Sequence, residues 1–347
     1  HIHTIKGKGF EEAEANKEAF HWVMPFDLEN KESNKIEFPE GYTDILGKFL
    51  VEKAKEDKKI VAITAATPGP AGLNYFRQEE SLKEQYVDVG IAEEHAIALA
   101  SGIASQGGKP VVSILSSFVQ RTYDQLSQDL AINNNPALIM VSWAGITGGD
   151  VTHLGIFDIP LISNIPNIVY LAPTNKEEYL AMIEWGIEQK DHPVAIRVPN
   201  GNVITTGVSV EPNFGDLNVY EKTIQGNEVA IIGLGSFHDL GRKVQEKLKV
   251  DTGINATLIN PRFITGIDKE MLTDLLESHK LVITLEDGVL DGGFGEKISR
   301  FYGDKDMKVL NFGATKEFTD RVSMEELYER YHLTEELIVE DIKNALK

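Results

Sequence analysis

Apolar and polar positions follow two different periods along the chain. From about residue 41, short and often β-branched apolar runs, roughly four to eight residues long, predict strands, and segments with an apolar residue every three or four positions predict helices. The predicted elements of the first half are strands 58–66, 109–115, 136–143, 167–173 and 192–198, and helices 42–57, 93–107, 120–133 and 174–190. Short apolar strands that alternate with helices indicate parallel sheets covered on both faces.

The pattern also predicts how the chain divides into domains. The alternation stops at residues 199–218, a segment rich in proline, glycine and asparagine that is typical of a domain connection, and then resumes to the C terminus. Residues 1–39 are charged and show little periodicity, which indicates an exposed linker. We therefore predict an α/β protein with a linker over 1–39 and two parallel-sheet domains over 40–205 and 216–347.

The composition excludes several classes of protein. The 347 residues include 54 Asp and Glu against 34 Lys and Arg, and the net charge of −20 argues against nucleic acid or a membrane as the main partner. The lack of cysteine excludes a disulfide framework, a thiolate zinc site and a cysteine nucleophile. With no apolar run of ~20 residues and no signal peptide at the start, we expect a cytoplasmic protein. Because the first residue is His1, we expect a piece of a longer protein.

Three segments place chemically useful side chains after predicted strands, where parallel α/β sheets build their sites. Glu93 begins an alanine-rich helix in the segment YVDVGIAEEH. Phe118 and Arg121 follow a strand in ILSSFVQRTYDQL, and Asp150 and His153 lie on the glycine-rich loop AGITGGDVTHLG. Such residues could supply a buried acid or base, a cofactor platform, an anion ligand and an acid–base group.

Each of these residues also has a purely structural interpretation. Glu93 could only complement the helix dipole, and Phe118 could be a core residue. Arg121 could form a surface salt bridge, and His153 could be an ordinary loop residue. The segment GGFGEKI (292–298) could bind an anion or only allow close packing. Neither a Walker A sequence nor G-x-G-x-x-G occurs where it should, so spacing alone leaves the chemistry open.

The ordered series of motifs resembles one known family. The series is HxHTxKGKG, AFH followed by FD, YTDILGKFL, YVDVGIAEEHA, FVQRTYDQLSQD, AGITGGDVTHLGIFD, IRVPNGN, INPRF and LEDGVLDGGFG. It covers nearly the whole chain in the family's order, although no single motif is decisive. The chain is similar to the 1-deoxy-D-xylulose-5-phosphate synthases, which depend on thiamine diphosphate and are related to transketolase. The resemblance implies a transketolase pyrimidine-binding domain and a transketolase C-terminal domain after a linker.

The resemblance implies that two residues bind the cofactor. Glu93 matches the glutamate that hydrogen-bonds the aminopyrimidine ring of thiamine, and Phe118 matches the aromatic residue that stacks on this ring. A carboxyl group that shares a proton with the ring nitrogen stabilises the imino form, which removes the proton from the thiazolium carbon. A partly dry site suits this shared proton, because a low dielectric constant favours the neutral pair.

Five further positions match residues near the substrate in the family. Arg121 matches a cationic residue near the substrate channel, and His21 matches a linker histidine that reaches the active site. Asp150 and His153 match loop residues close to the reacting carbon. Arg262 matches an arginine that holds the phosphate of glyceraldehyde 3-phosphate. The resemblance thus implies catalytic roles for His153, His21 and Asp150 beside the cofactor-binding glutamate, and substrate binding by the two arginines.

The sequence departs from the family at the substrate end of the site. The family usually has Asp-Arg before Ala-Gly-Ile, with the arginine as a phosphate ligand, whereas this chain has Ser142 and Trp143. The family commonly has tyrosine where this chain has Leu115, and the loop between Gly148 and His153 is one residue shorter. Tryptophan cannot supply the paired donors of arginine, so the acceptor substrate stays open.

The matches imply a function for the complete enzyme. It would decarboxylate pyruvate on thiamine diphosphate and transfer the two-carbon unit to glyceraldehyde 3-phosphate, for isoprenoid (terpenoid), thiamine and pyridoxal synthesis. The family's GDG motif with a later asparagine, which binds diphosphate and Mg²⁺, does not occur in this sequence. We therefore expect no metal ligands in this chain, a missing N-terminal domain that holds diphosphate and Mg²⁺, and a homodimer.

Two alternatives remain at this point. The same architecture fits the β subunit of a split 2-oxo-acid dehydrogenase or a split transketolase, although HxHTxKGKG looks like a linker that follows another domain. A non-catalytic paralogue acting as an assembly module would fit the loss of the diphosphate domain and of two substrate-end residues. The joint presence of Glu93, Phe118, His153 and Arg262 argues against that module.

Overall fold

The computed structural model describes residues 1–21, 23 and 39–347. The chain divides into two compact units, residues 1–40 and residues 41–347. All of the predicted site residues except His21 lie in the larger unit.

The described part of the shorter unit contains helix α1 (Glu11–Ala15). Phe10 and Phe20 pack edge to face with ring centroids 5.5 Å apart, and Nζ of Lys6 donates a hydrogen bond to Nδ1 of His21. The approach of His21 to the active site stays a prediction.

The first sheet of the larger unit has six parallel strands in the order β2-β1-β3-β4-β6-β5. The strands are β1 (Ile60–Thr64), β2 (Tyr86–Asp88), β3 (Lys109–Leu115), β4 (Leu138–Ala144), β5 (Val169–Leu171) and β6 (Val194–Pro199). Val112 and Ile114 pack in the core on one face of β3, and Val111 packs in a second core on the other face. Because both of its faces are buried, β3 is almost continuously apolar, as the sequence predicts, whereas the edge strand β2 is partly exposed.

The second sheet has five strands in the order β11-β10-β8-β9-β7. The strands are β7 (Glu221–Ile224), β8 (Glu228–Gly233), β9 (Thr257–Asn260), β10 (His279–Val289) and β11 (Lys308–Ala314). Four of them run parallel, whereas β7 pairs antiparallel with β9 at the edge. Strand β7 was not predicted from the sequence, because its residues EKTI are mostly exposed and contain no apolar run. The predicted α/β class with two parallel-dominated sheets is confirmed.

The helices of the larger unit follow the predicted alternation. They are α2 (Tyr42–Glu56), α3 (Asn74–Gln78), α4 (Glu93–Ser105), α5 (Asp158–Ile162), α6 (Lys176–Glu188), α7 (Phe237–Thr252), α8 (Lys269–Asp274), α9 (Phe294–Tyr302), α10 (Met324–Arg330) and α11 (Glu335–Ala345). Within the described residues, no helix is both long and apolar enough to cross a membrane.

The helix predicted over 120–133 differs in its winding. The chain there forms a 3₁₀ turn over Val119–Thr122 and then a π-helical stretch over Gln125–Ala131. In that stretch the backbone N–H of Ile132 donates to the carbonyl oxygen of Ser127, five residues back. This stretch spans only seven residues, which is too short for the apolar pattern to distinguish an α from a π winding.

A buried charged cluster joins the two sheets. The guanidinium of Arg197 on β6 donates to Asp158 Oδ2 at 2.7 Å and also to Asp287 on β10, and all three side chains are nearly inaccessible to solvent. The hydroxyl of Tyr170 donates to Asp158 as well. Because both carboxylates depend on one arginine, this cluster is a sensitive point of the fold.

Candidate active site

Glu93 is the first residue of α4 and follows the carboxyl end of the short strand β2 along the chain. The turn between them is held by Asp88, whose Oδ1 accepts hydrogen bonds from the backbone N–H groups of Ala66 and Gly90, both at 2.9 Å. The Glu93 side chain is only 4% exposed, and its Oε2 accepts a hydrogen bond from Nη1 of Arg121 at 3.1 Å. A carboxylate at this place also faces the positive end of the α4 dipole.

Phe118 and Arg121 lie on one tight turn after β3. The backbone N–H of Phe118 donates to the carbonyl oxygen of Leu115 at 2.8 Å, and the backbone N–H of Arg121 donates to the carbonyl oxygen of Phe118 at 3.1 Å. The Phe118 ring is half-buried against the core and contacts the ring of His153 edge to face, with centroids 5.4 Å apart. Because Phe118 and Arg121 lie on the same turn, this turn contacts both Glu93 at the start of α4 and His153 on the loop after β4.

The loop after β4 carries Asp150 and His153 and is closed at its neck by two glycines. The backbone N–H of Gly145 donates to the carbonyl oxygen of Gly155 at 2.7 Å, and Gly145 has a φ of 114°, in the left-handed region that favours glycine. A Cβ on Gly155 would stand 2.2 Å from the carbonyl oxygen of Trp143. Because these glycines have no side chains, the two arms of the loop can pair closely at its base.

The tip of the loop holds a row of polar side chains. Oγ1 of Thr152 donates to Oδ1 of Asp150 at 2.6 Å and lies 2.8 Å from Nδ1 of His153. Nη2 of Arg321 donates to the other carboxylate oxygen of Asp150 at 3.3 Å. The Thr152 hydroxyl and backbone N–H, aided by the charge of Arg321, lower the pKa of Asp150 below its ordinary value. Asp150 is therefore ionised at neutral pH.

Arg262 lies in a different set of contacts. It follows β9, and its guanidinium donates to Oε1 of Glu178 at 2.9 Å and also to Glu221. Its guanidinium also lies over the ring of Phe214, 5.9 Å from the ring centroid. Within the described residues, no hydrogen bond, ion pair or ring contact joins Arg262 to His153 or Glu93. Its predicted phosphate-binding role stays a prediction, and a phosphate would have to compete with two carboxylates.

The three positions that depart from the family pattern differ in their surroundings. Leu115 is buried at the end of β3, whereas the neighbouring end of β4 presents Trp143 with 43% of its surface exposed and a φ of 55°. Ser142 is buried, and its hydroxyl lies 3.0 Å from that of Ser113. An exposed aromatic side chain thus stands where the loop begins.

Several polar groups at this edge of the sheet carry no signal in the sequence. The hydroxyls of Thr64 and Ser116, at the ends of β1 and β3, are buried and have no hydrogen-bond partner within the described part of the chain. Thr152 and Arg321 were missed as well, because a threonine beside a histidine and an arginine on a distant loop carry no sequence signal. These two hydroxyls are closed off from solvent in this structure.

The glycine-rich segment before α9 proves to be a packing feature. The buried carboxylate of Glu286 accepts the backbone N–H groups of Phe294 and Gly295 at 2.9 and 2.8 Å, which fills the helix N-terminus. A Cβ on Gly293 would lie 2.7 Å from that carboxylate. Of the two interpretations left open for this segment, the structure supports close packing.

Over residues 1–21, 23 and 39–347, no group of three or more His, Cys, Asp or Glu side chains is arranged to hold a metal ion.

Comparison with known proteins gives consistent results. Residues 41–205 match the family model of the transketolase pyrimidine binding domain, and residues 220–338 match that of the transketolase C-terminal domain. The chain is 39% identical to the 1-deoxy-D-xylulose-5-phosphate synthase of Halothermothrix orenii, over 100% of this chain and 54% of the relative, and 39% identical to that of Lachnoclostridium phytofermentans, over 98% and 55%. The chain thus spans about half the length of the curated relatives it matches.

Solved structures share the fold. A structure described as a split gene transketolase, inactive beta4 tetramer, superposes with a TM-score of 0.74 at 23% identity, over 89% of this chain and 99% of that one. A transketolase mutant from Pichia stipitis superposes with a TM-score of 0.70 at 15% identity, over 89% and 46% of the two chains. At these identities the likeness concerns the fold alone.

Proposed function

The chain belongs to the transketolase family, with the 1-deoxy-D-xylulose-5-phosphate synthases as relatives over its whole length, and from this premise we propose that it forms the pyrimidine-binding and C-terminal part of a thiamine-diphosphate-dependent synthase. The proposed reaction decarboxylates pyruvate and joins the remaining two-carbon unit to glyceraldehyde 3-phosphate. The product, 1-deoxy-D-xylulose 5-phosphate, would feed isoprenoid, thiamine and pyridoxal synthesis. The observation that carries the proposal is the buried Glu93 at the start of α4, beside the turn that bears Phe118.

The described residues fit the aminopyrimidine end of the cofactor. Glu93 supplies a carboxyl group largely withdrawn from water, and Phe118 supplies an aromatic platform. When bound, thiamine diphosphate supplies the carbanion chemistry of the reaction. In this proposal Glu93 shares a proton with the ring nitrogen, and Phe118 orients the ring and excludes water from it.

The loop residues act on the substrates. His153 and Asp150 hold or move a proton at the oxygen of the reacting carbonyl group, and Arg121 attracts the anionic substrate toward a protein whose overall charge is negative. Arg262 and the linker residue His21 complete the set of proposed substrate-end residues. Trp143 narrows the acceptor side of the site and removes a cation from it, so acceptor selectivity depends on this position.

The other end of the cofactor requires a further part of the enzyme. Diphosphate needs a divalent cation with oxygen ligands, and we propose that a missing N-terminal domain supplies the ligands for both diphosphate and Mg²⁺. The half-length match to the relatives supports this proposal. We further propose a linker over 1–39, domains over 40–205 and 216–347, a cytoplasmic location and a homodimer, for which the family resemblance is the support.

One assay tests the proposed function. The holoenzyme, this chain together with its diphosphate-binding part, is incubated with pyruvate and glyceraldehyde 3-phosphate, with thiamine diphosphate and Mg²⁺ added or withheld, and products are identified by mass spectrometry. We expect carbon dioxide release and 1-deoxy-D-xylulose 5-phosphate only when the cofactor is present. Binding of thiamine diphosphate without either product would refute the synthase assignment, and no binding by the holoenzyme would favour a non-catalytic module.

A further inference from the structure

Asp150, Thr152 and His153 form a continuous hydrogen-bonded row on the loop after β4. Oγ1 of Thr152 donates to Oδ1 of Asp150 at 2.6 Å, and the backbone N–H of Thr152 donates to the same oxygen at 3.0 Å. Oγ1 also lies 2.8 Å from Nδ1 of His153. Thr152 therefore connects two residues with proposed roles in the reaction, although no role has been assigned to Thr152 itself.

The number of protons available decides the direction of each hydrogen bond. A threonine hydroxyl has one proton to donate and two lone pairs that accept, whereas an ionised carboxylate only accepts. The lowered pKa of Asp150 agrees with an ionised carboxylate, so the hydroxyl proton points to Asp150. The contact with His153 then needs a proton on Nδ1. Because a neutral imidazole carries a single N–H, Nε2 keeps its lone pair.

The acidic end of the row is held by the part of the chain that carries the second sheet. Nη2 of Arg321 donates to Oδ2 of Asp150 at 3.3 Å, and the backbone N–H of Arg321 donates to the carbonyl oxygen of Gly149 at 2.8 Å. The side chains of Ile146 and Ile156, one in each arm of the loop, are buried in the core of that sheet. The loop geometry therefore depends on long-range packing as well as on its own sequence.

The imidazole end of the row is held by the first sheet. The His153 ring meets the ring of Phe118 edge to face at an interplanar angle of 67°. Phe118 limits the plane of the imidazole, and Thr152 holds one of its nitrogens. Thr152 therefore occupies Nδ1 of His153, and Nε2 stays available to a ligand.

We propose that Thr152 is a positioning residue that fixes His153 as the Nδ1–H tautomer, so that Nε2 is the atom that accepts a proton from the substrate. In that step an O–H bond of a hydroxyl group on the reacting carbon breaks and its electron pair stays on the oxygen, an Nε2–H bond forms, and the resulting imidazolium is stabilised through Thr152 by the Asp150 carboxylate. The tautomer itself is independent of the proposed function, whereas its use in the reaction rests on that function.

The tautomer can be observed directly in the 347-residue chain labelled with ¹⁵N-histidine. The sequence has nine histidines, and the spectrum of His153→Asn identifies the resonances of His153. Spectra are recorded near pH 8.5, well above the ordinary imidazole pKa of ~6.5. We expect a proton on Nδ1 in the wild type and in Thr152→Ser, which keeps the hydroxyl. We expect Thr152→Val, which has nearly the same shape but no hydroxyl, to move the proton mainly to Nε2.

The outcomes separate the tautomer from the reaction. A wild-type proton on Nε2, or no change in Thr152→Val, would overturn the proposal, and unchanged signals from the other histidines show that the variant is folded. In the holoenzyme we expect Thr152→Val to lower kcat at least tenfold with little change in the KM for pyruvate, and Thr152→Ser to keep kcat within about threefold. An unchanged kcat beside a changed tautomer would overturn the use of Nε2 in the reaction. If the holoenzyme makes no product at all, the spectra still decide the tautomer.

Discussion

The guanidinium of Arg121 lies 3.1 Å from the buried carboxyl group of Glu93, so an exposed arginine hydrogen-bonds an acid that is almost inaccessible to solvent. The contact joins the start of α4 to the turn after β3, two elements whose residues are 28 positions apart. The hydrogen bond from Arg121 satisfies the buried Glu93 carboxyl group at the base of the candidate site.

Loss of the arginine should weaken the fold and reveal this coupling. Because Arg121→Met leaves the Glu93 carboxylate without its charged donor, we expect the free energy of unfolding to fall by about 1–3 kcal/mol. Urea denaturation measures the effect. In a double-mutant cycle, the same change in a Glu93→Gln background should cost much less, and equal losses in both backgrounds would show that the two side chains are not coupled.

Replacement of Arg197 should destabilise the protein far more than replacement of an exposed arginine. Arg197→Met would leave Asp158 and Asp287 buried together without a cation, so we expect a loss of about 3–5 kcal/mol in the free energy of unfolding, measured by urea denaturation. Arg242→Met on α7, where the ion pairs are exposed, is the matched control, with an expected loss of at most about 1 kcal/mol. Similar losses for the two variants would contradict the importance of the buried cluster.

The stability of the larger unit should fall as the pH rises toward neutrality. Burial raises the pKa of Glu286 to about 7, while its hydrogen bonds from Phe294 and Gly295 act in the opposite direction. Since the folded protein holds this proton more tightly than the unfolded chain, the stabilisation is complete below an unfolded pKa of ~4.3 and is lost as the pH rises through about 7.

The pH effect can be assigned to one residue. Unfolding free energies measured by urea titration from pH 5 to 8 should fall by about 2.5 kcal/mol more in the wild type than in Glu286→Gln. Burial also lowers the pKa of Lys297 to about 8, so this lysine adds stability only as the pH rises above that value and does not account for the fall below pH 7. Parallel pH profiles for the two proteins would refute the assignment.

Trp143 should control which acceptor the enzyme uses. A cation at this exposed position could hydrogen-bond a phosphate, so we expect Trp143→Arg to raise kcat/KM for glyceraldehyde 3-phosphate about tenfold, corresponding to ~1.5 kcal/mol. The gain should shrink as the salt concentration increases. Trp143→Gln is the neutral control, and an equal gain in that variant would show that space rather than charge is responsible.

The fold was largely predictable because parallel sheets leave a strong local signal. Each buried strand is continuously apolar, and β3 begins and ends at the predicted residues, Lys109 and Leu115. The edge strand β7 escaped prediction because the apolar surface that would reveal it is missing. Local sequence therefore indicates where chain segments are buried, but not how a polar edge strand pairs.

The site was predictable only in part. Glu93, Phe118 and His153 stand out because the motifs around them resemble a family, and the structure places Phe118 against His153 and Glu93 against Arg121. The contact of Arg321 with Asp150 spans 171 positions of sequence, and no local pattern encodes a pairing at that distance. The boundaries of the linker and of the two domains remain predictions.

The steady-state rate of 1-deoxy-D-xylulose 5-phosphate formation by the holoenzyme with Glu93→Gln tests the central claim most directly. Glu94→Gln is the matched control, because Glu94 follows in the same first turn of α4 but is exposed. We predict that Glu93→Gln lowers kcat by about 10²–10⁴-fold, because the carboxyl group that shares a proton with the aminopyrimidine ring is lost, and that Glu94→Gln stays within about twofold of the wild type. Equal rates for the two variants would contradict the account.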